Sequence, residues 1–193
     1  MAAYSAGPFK FTEFSSVPPG YGAWQNPGLA AESDDSRAAC DFASSNDSER
    51  LRCETVSSSD LAGIPAGARI TGIEVTAEWR GSASLAMWDS LVKLCKSGVE
   101  AGSSRATGEY LPTEDETRTY GGPGDLWGWG ESDWPVSALD ELGVNIRANS
   151  DFTHAVASID CVKVRFYYDY EPHGAVIPEV IPPETPEVVP GEV

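Results

Sequence analysis

Long apolar runs are missing from this chain. Nothing in it approaches the about 18–20 consecutive apolar residues that a helix needs to cross a bilayer, which argues against a membrane-spanning helix. The opening MAAYSAGPFKF lacks a basic n-region followed by an apolar h-region, so the expectation is folding in a cytoplasm without Sec export. Positive charge is scarce as well: 13 Lys and Arg stand against 30 Asp and Glu, for a net charge of -17. So acidic a surface repels phosphate, and no basic stripe relieves it, so nucleic acid is not expected as a partner. The excess keeps the protein soluble, and a basic partner surface would exploit the same charge.

The residues of common active sites are also thin. The two histidines, His154 and His173, have neither the H-x-E nor the H-E-x-x-H spacing that would set two ligands on one face. The four cysteines lack C-x-x-C spacing, and no G-x-S-x-G elbow is present. Carboxylates cluster at Asp34-Asp35 and at Glu114-Asp115-Glu116. Nothing marks two of them as a glycosidase pair, which needs a separation of about 5–10 Å across a sugar. They read as solvated loop charges, with a calcium site in a sandwich loop as the remaining alternative. The sequence therefore assigns no catalytic residues, no metal and no cofactor.

What the chain does contain is short strands. In ITGIEVTAEWRG, Ile73, Val75 and Ala77 alternate with Glu74, Thr76 and Glu78, the period-two signature of a half-buried strand. SLVKLCKSG places Val92 and Leu94 on one face, with Lys93 and Cys95 on the other. LGVNIRANS points Val144 and Ile146 inward, and in ASIDCVKVRFYYDY the residues Val162, Val164 and Phe166 alternate with Cys161, Lys163, Arg165 and Tyr167. From Arg37 to Ser58 the chain reads as a hairpin turning at Asn46-Asp47, residue types that tolerate tight turns. Pro135 opens a helical turn capped by Ser132 or Asp133 and ended by Gly143. Short strands without a long helical period indicate an all-β antiparallel sandwich or jelly roll. Residues 25–170 form that domain, 1–24 an aromatic N-terminal arm, and 171–193 a Pro- and Glu-rich tail.

The run IPAGARITGIEVTAEWRG, the later GGPGDLWG, and the closing LGVNIRANS and ASIDCVKVRFYYDY resemble a β-sandwich domain that recurs in tailed-bacteriophage virion proteins. Trp24-Gln25-Asn26-Pro27 fits its W-x-N-P element. The resemblance covers most of residues 24–170. It implies a jelly-roll-like fold and a structural, non-enzymatic role in capsid decoration, a head fibre or the tail. Since the domain takes up nearly the whole chain, the expectation is a capsid decoration or cement protein. It would sit on the outer surface of the virion, be made in the host cytoplasm, and bind the major capsid protein or other virion subunits. A homo-oligomer is expected, with a trimer as the first choice for a threefold site. The alternatives are a tail or fibre protein, or a carbohydrate-binding adhesion module touching host glycans, and related domains also sit in bacterial surface proteins.

Four sets of residues are candidates for contact or cross-linking. Trp127, Trp129 and Trp134 lie among glycines that would open their flat faces to sugar rings; the alternative is that Trp127 and Trp134 plug one end of the sandwich. Cys40 and Cys53 lie equidistant from the expected hairpin turn and would face each other as a disulfide, or pack as reduced thiols. Cys95 and Cys161 sit on nominally outward faces, so either those faces are covered by the arm or the thiols pair within or between subunits. The tail carries six prolines and five glutamates with no Lys or Arg. Proline forbids a helix or central strand there, and as polyproline II the tail would extend roughly 70 Å. It is expected to dock on a neighbouring subunit through Val176, Ile177, Val180, Ile181, Val188 and Val189, with Glu184 and Glu187 meeting basic residues.

Overall fold

A computed structural model describes residues 2–43 and 46–171. The tail contacts expected at Val176, Ile177, Val180, Ile181, Glu184, Glu187, Val188 and Val189 lie outside the described residues. The described strands are β1 (Ala2–Val17), β2 (Ala38–Asp41), β3 (Arg50–Val56), β4 (Arg69–Gly81), β5 (Met87–Lys96), β6 (Val99–Glu100), β7 (Glu116–Gly122), β8 (Leu142–Ser150) and β9 (Val156–Tyr170). Every pairing between them is antiparallel. The chain forms the all-β antiparallel sandwich expected from its alternation.

One strand belongs to both layers. From Ala2 to Lys10, β1 pairs with β9, and from Phe11 to Val17 it pairs with β3. The first layer continues β9–β4–β7 and the second β3–β8–β5–β6. Where β1 leaves β9, β2 takes the vacated edge, from Ala38 opposite Ile159 to Asp41 opposite Val156. The register of β1 shifts between Ala6 and Phe9, around Pro8, which has no amide hydrogen to give to a ladder. Residues 2–17 are therefore a strand hydrogen-bonded into the sandwich, not an arm lying on a finished sheet. Local sequence could not show this, because small residues and Pro8 hide the alternation and the pairing partners are remote in sequence.

The alternating residues fill the interior. Ile73, Val75, Ala77 and Trp79 of β4 meet Val162, Val164 and Phe166 of β9 in one layer, facing Leu51, Val144, Ile146, Val92 and Leu94 of the other, and all are buried. Opposite Glu78, β9 carries an extra residue: Ala77 pairs with Val162 but Trp79 with Ile159. This bulge keeps Ile159 and Val162 both inward and turns Asp160 and Cys161 to the far face. The segment TRTYGG, read from sequence only as part of a Gly- and Trp-rich stretch, is the edge strand β7, with Arg118 and Tyr120 buried. The helical turn after Pro135 forms as 3-10 helix at Val136–Glu141. Ser132 and Asp133 do not cap it but belong to a separate turn, Glu131–Asp133, and Gly143 lies within β8.

The open side between β5 and β7 is closed by residues 101–115, which have almost no regular structure of their own. Asp89, fully buried, anchors them: its carboxylate accepts the Thr107 amide (3.1 Å), the Gly108 amide (2.8 Å), the Thr107 hydroxyl (2.9 Å) and the Tyr120 hydroxyl (2.9 Å). Tyr120 in turn accepts the Trp79 indole N–H at 2.9 Å. Arg118, also buried, donates to the carbonyls of Glu109 and Tyr110 and lies 3.8 Å from Asp89. Burial and the neighbouring Asp89 charge hold the Tyr120 phenol far above its usual range.

Among the described residues β2 and β3 do not pair with each other, as the hairpin inferred for residues 37–58 required, and with it goes the Cys40–Cys53 bridge. Cys40 on β2 faces Ala157 in one layer, while Cys53 on β3 lies between Phe14 and Val144 in the other. Cys95 and Cys161 are likewise in different layers and are not paired; all four thiols are free and buried. Cys161 is covered by Ala31, whose carbonyl lies 3.7 Å from its sulfur, so residues near 31, not the N-terminal arm, shield that face. Cys95 settles over Gly143, where any Cβ would come within 2.8 Å of the sulfur. Burial pushes the Cys40 and Cys95 thiols up to about 12, and raises those of Cys53 and Cys161.

Two outcomes follow from this interior. At mildly alkaline pH the native protein should leave DTNB almost uncoloured, and all four thiols should react once denaturant is added; rapid titration of a native thiol would contradict the burial. Asp89→Ala leaves Arg118 without its nearest buried countercharge, so urea unfolding should show a loss of about 3–5 kcal/mol.

Candidate functional site

The sandwich has two unlike ends. At one lie the connections 57–68, 97–98 and 123–141; at the other lie 18–23, 82–86 and 151–155. The first end holds Trp127, Trp129 and Trp134. Trp127 is wholly buried, its backbone held at φ 60 with its amide donating to Asp125 (2.7 Å) and its indole to the Ile73 carbonyl (2.8 Å). Gly121 is required beneath it, since a Cβ there would come 2.5 Å from the indole nitrogen and 2.4 Å from the Ile73 oxygen. Arg105 clamps Asp125 through two 2.7 Å hydrogen bonds and stands over the Trp127 ring.

Trp134 is buried too, tilted against the half-buried Trp129 at 5.1 Å between ring centres, with the Lys96 ammonium over its face. These indoles do not form a glycan platform. Trp127 and Trp134 have no free face to stack on a sugar, and Trp129 spends its contact on Trp134. The plug alternative is the arrangement the structure adopts. Three residues of the acidic runs are engaged in ion pairs: Asp35 and Asp115 each lie 2.9 Å from Arg37, and Glu116 lies 3.4 Å from Arg118. Among the described residues no group of three or more His, Cys, Asp or Glu is placed to hold a metal ion.

The second end is the open one. Loops 82–86 and 151–155 face each other across a cleft of about 450 Å³ lined by Ser82, Ala83, Ser84, Ala86, Phe152, Thr153, His154 and Ala155. Ser150 ties the two loops together: its hydroxyl sits 3.1 Å from the Ala86 carbonyl and 2.9 Å from that of Phe152. The Ser82 hydroxyl accepts the Val156 amide at 2.8 Å, and the His154 amide donates to Phe42 at 2.6 Å. His154 and Leu85 both adopt positive φ, 61 and 55 degrees, which turns the two loop tips outward.

The anchored backbone leaves the side chains presented. Phe152 is 57% exposed and Leu85 67%, and Tyr110, paired edge-on with Trp88, adds another exposed ring at this end. No charged side chain lines the cleft, and the side chains of Ser84, Thr153 and His154 have no hydrogen-bond partner among the described residues. Below Ser82 it adjoins a second cleft of about 280 Å³, lined by Arg37, Arg80, Gly81, Ser82, Val156 and Ser158.

None of Phe152, His154 or Arg80 was singled out by sequence reasoning as a site. The signal present was a lone aromatic, Phe152, in the polar turn NSDFTH between two confident strands, where packing gives it no core to enter.

No protein-family model matches the chain, and no curated protein does. Solved structures of similar architecture exist. TmCBM61 in complex with beta-1,4-galactotriose aligns with 81% of this chain and 93% of its own, at 12% identity and a TM-score of 0.43. The CBM22-1 xylan-binding domain of Xyn10C from Paenibacillus barcinonensis aligns with 84% and 92%, at 9% identity and a TM-score of 0.41. Both are β-sandwich folds, and at this distance neither assigns a ligand to this chain.

Proposed function

We propose that this chain is a non-catalytic binding module whose open loop end takes a carbohydrate in the cleft between residues 82–86 and 151–155. The observation that carries the reading is the composition of that cleft. An exposed phenyl ring, three hydroxyls and an imidazole converge on a space of about 450 Å³ with no charged side chain. A pyranose has an apolar face of C–H groups and an edge of hydroxyls, so it needs one flat ring and several neutral donors and acceptors. The imidazole makes no hydrogen bond to any of the three hydroxyls among the described residues, which suits recognition better than activation of a nucleophile. Anchoring of the loops through Ser150 and Ser82 prepays part of the ordering cost of binding.

A glycan array probed with the labelled protein tests this. Binding to at least one oligosaccharide is expected, and Phe152→Ala should weaken it about tenfold or more, about 1.4 kcal/mol. The thermal midpoint should stay unchanged, because the ring is exposed. A blank array, or full binding by the variant, would falsify the reading.

A second reading, a capsid decoration protein or other subunit of a tailed-phage virion, is favoured by one observation: Trp24-x-Asn26-Pro27, IPAG and GGPGDLWG occur in the order of the virion domain they resemble. In that role the chain would act by burying surface between capsid subunits, many weak contacts adding around the shell. Light scattering on the full-length protein separates the two, since a stable cyclic trimer is expected of the particle subunit and a monomer of the binding module.

A further inference from the structure

We infer that the carbohydrate taken at the open end is an acidic one, with its carboxylate received by Arg80; this rests on the carbohydrate reading above and names its substrate class. The two clefts at this end are not independent. Ser82 lines both, and Ala155 of the first is followed in the chain by Val156 of the second. A ring stacked on Phe152 would thus lie beside a wall carrying two guanidinium groups, on a chain that has only 13 Lys and Arg in all.

The two arginines are in different states. Arg37 is committed: it donates to the Asp35 carbonyl at 3.0 Å and to the Asp35 and Asp115 carboxylates at 2.9 Å each, with 18% of its side chain exposed. Arg80 is not. Its side chain is 43% exposed, it donates no hydrogen bond among the described residues, and its one ionic contact is Asp115 at 3.9 Å. Asp115 already sits on Arg37, so Arg80 has a planar fork of donors without a close acceptor. Its backbone is nevertheless fixed, paired with Ser158, whose hydroxyl donates to the Arg80 carbonyl at 3.1 Å.

A guanidinium fork matches a carboxylate in two parallel hydrogen bonds, a fit that a neutral hydroxyl cannot reproduce. The arriving carboxylate would replace the long Asp115 contact while Asp115 keeps its shorter one to Arg37. Asp41, exposed and opposite Val156, stands at the same edge and opposes the incoming charge, so the preference depends on direct contact with Arg80 and not on the general field. Uronates and sialates share this chemistry.

Calorimetric titration of the full chain with two acidic probes, an oligogalacturonate and sialyllactose, and their neutral counterparts, a galacto-oligosaccharide and lactose, decides the matter. At least one acid is expected to bind tenfold or more tighter than its neutral counterpart. Arg80→Ala should erase that margin, Arg80→Lys should restore part of it, and Phe152→Ala should weaken acidic and neutral sugars alike. No acidic preference in the wild type, or one that survives Arg80→Ala, overturns the inference and leaves the carbohydrate reading standing. If none of the four probes binds and the glycan array is blank, the carbohydrate reading itself fails, and this inference with it.

Discussion

The passage of β1 from one sheet to the other is the constraint on which the rest depends. A strand shared by two layers fixes their separation and their relative order at once, and it leaves one place on β9 unpaired. That place must be filled, because unpaired backbone donors and acceptors buried in a sheet are costly. β2 fills it with only four residues. Once β2 is assigned to β9, the chain between β2 and β3 has to cross from one layer to the other, and the connection that looks like a hairpin becomes a bridge across the sandwich.

This crossing marks the limit of what the sequence reveals. Alternation over 70–81, 142–150 and 156–170 is carried by each strand's own side chains, so those strands and their inward faces were legible residue by residue. Pairing is not local. Cys40 and Cys53 are symmetric about a turn that reads well and yet lie in different sheets, because long-range partners outcompeted the nearby one. The first seventeen residues look like an arm for the same reason: nothing in them says that β9 and β3 wait on either side. β7 escaped notice because its inward positions include Arg118 beside Tyr120 and its outward ones are Thr117 and Thr119, which leaves little apolar signature.

The division of labour between the two ends was half legible. Tryptophan among glycines signals a special local geometry, but the sign of the exposure could not be read. Glycine can open a ring to solvent or, as at Gly121, make room for the ring to be buried. A buried Trp127 needs acceptors, a clamp and a Cβ-free neighbour, and the chain supplies them from GGPGDLWG, Arg105 and the Ile73 carbonyl. The open end is built with the opposite economy, where hydroxyls hold the backbone and the side chains at the loop tips are left without partners.

The four separated thiols have a consequence for where such a domain can work. No covalent cross-link contributes to the fold, so nothing is gained when the surroundings become oxidising, and nothing is lost when they are reducing. With each sulfur enclosed and held in its neutral form, the thiol–disulfide exchange that would scramble exposed cysteines has no entry point. The same three-dimensional structure can therefore persist on both sides of a redox boundary, without a maturation step at the crossing.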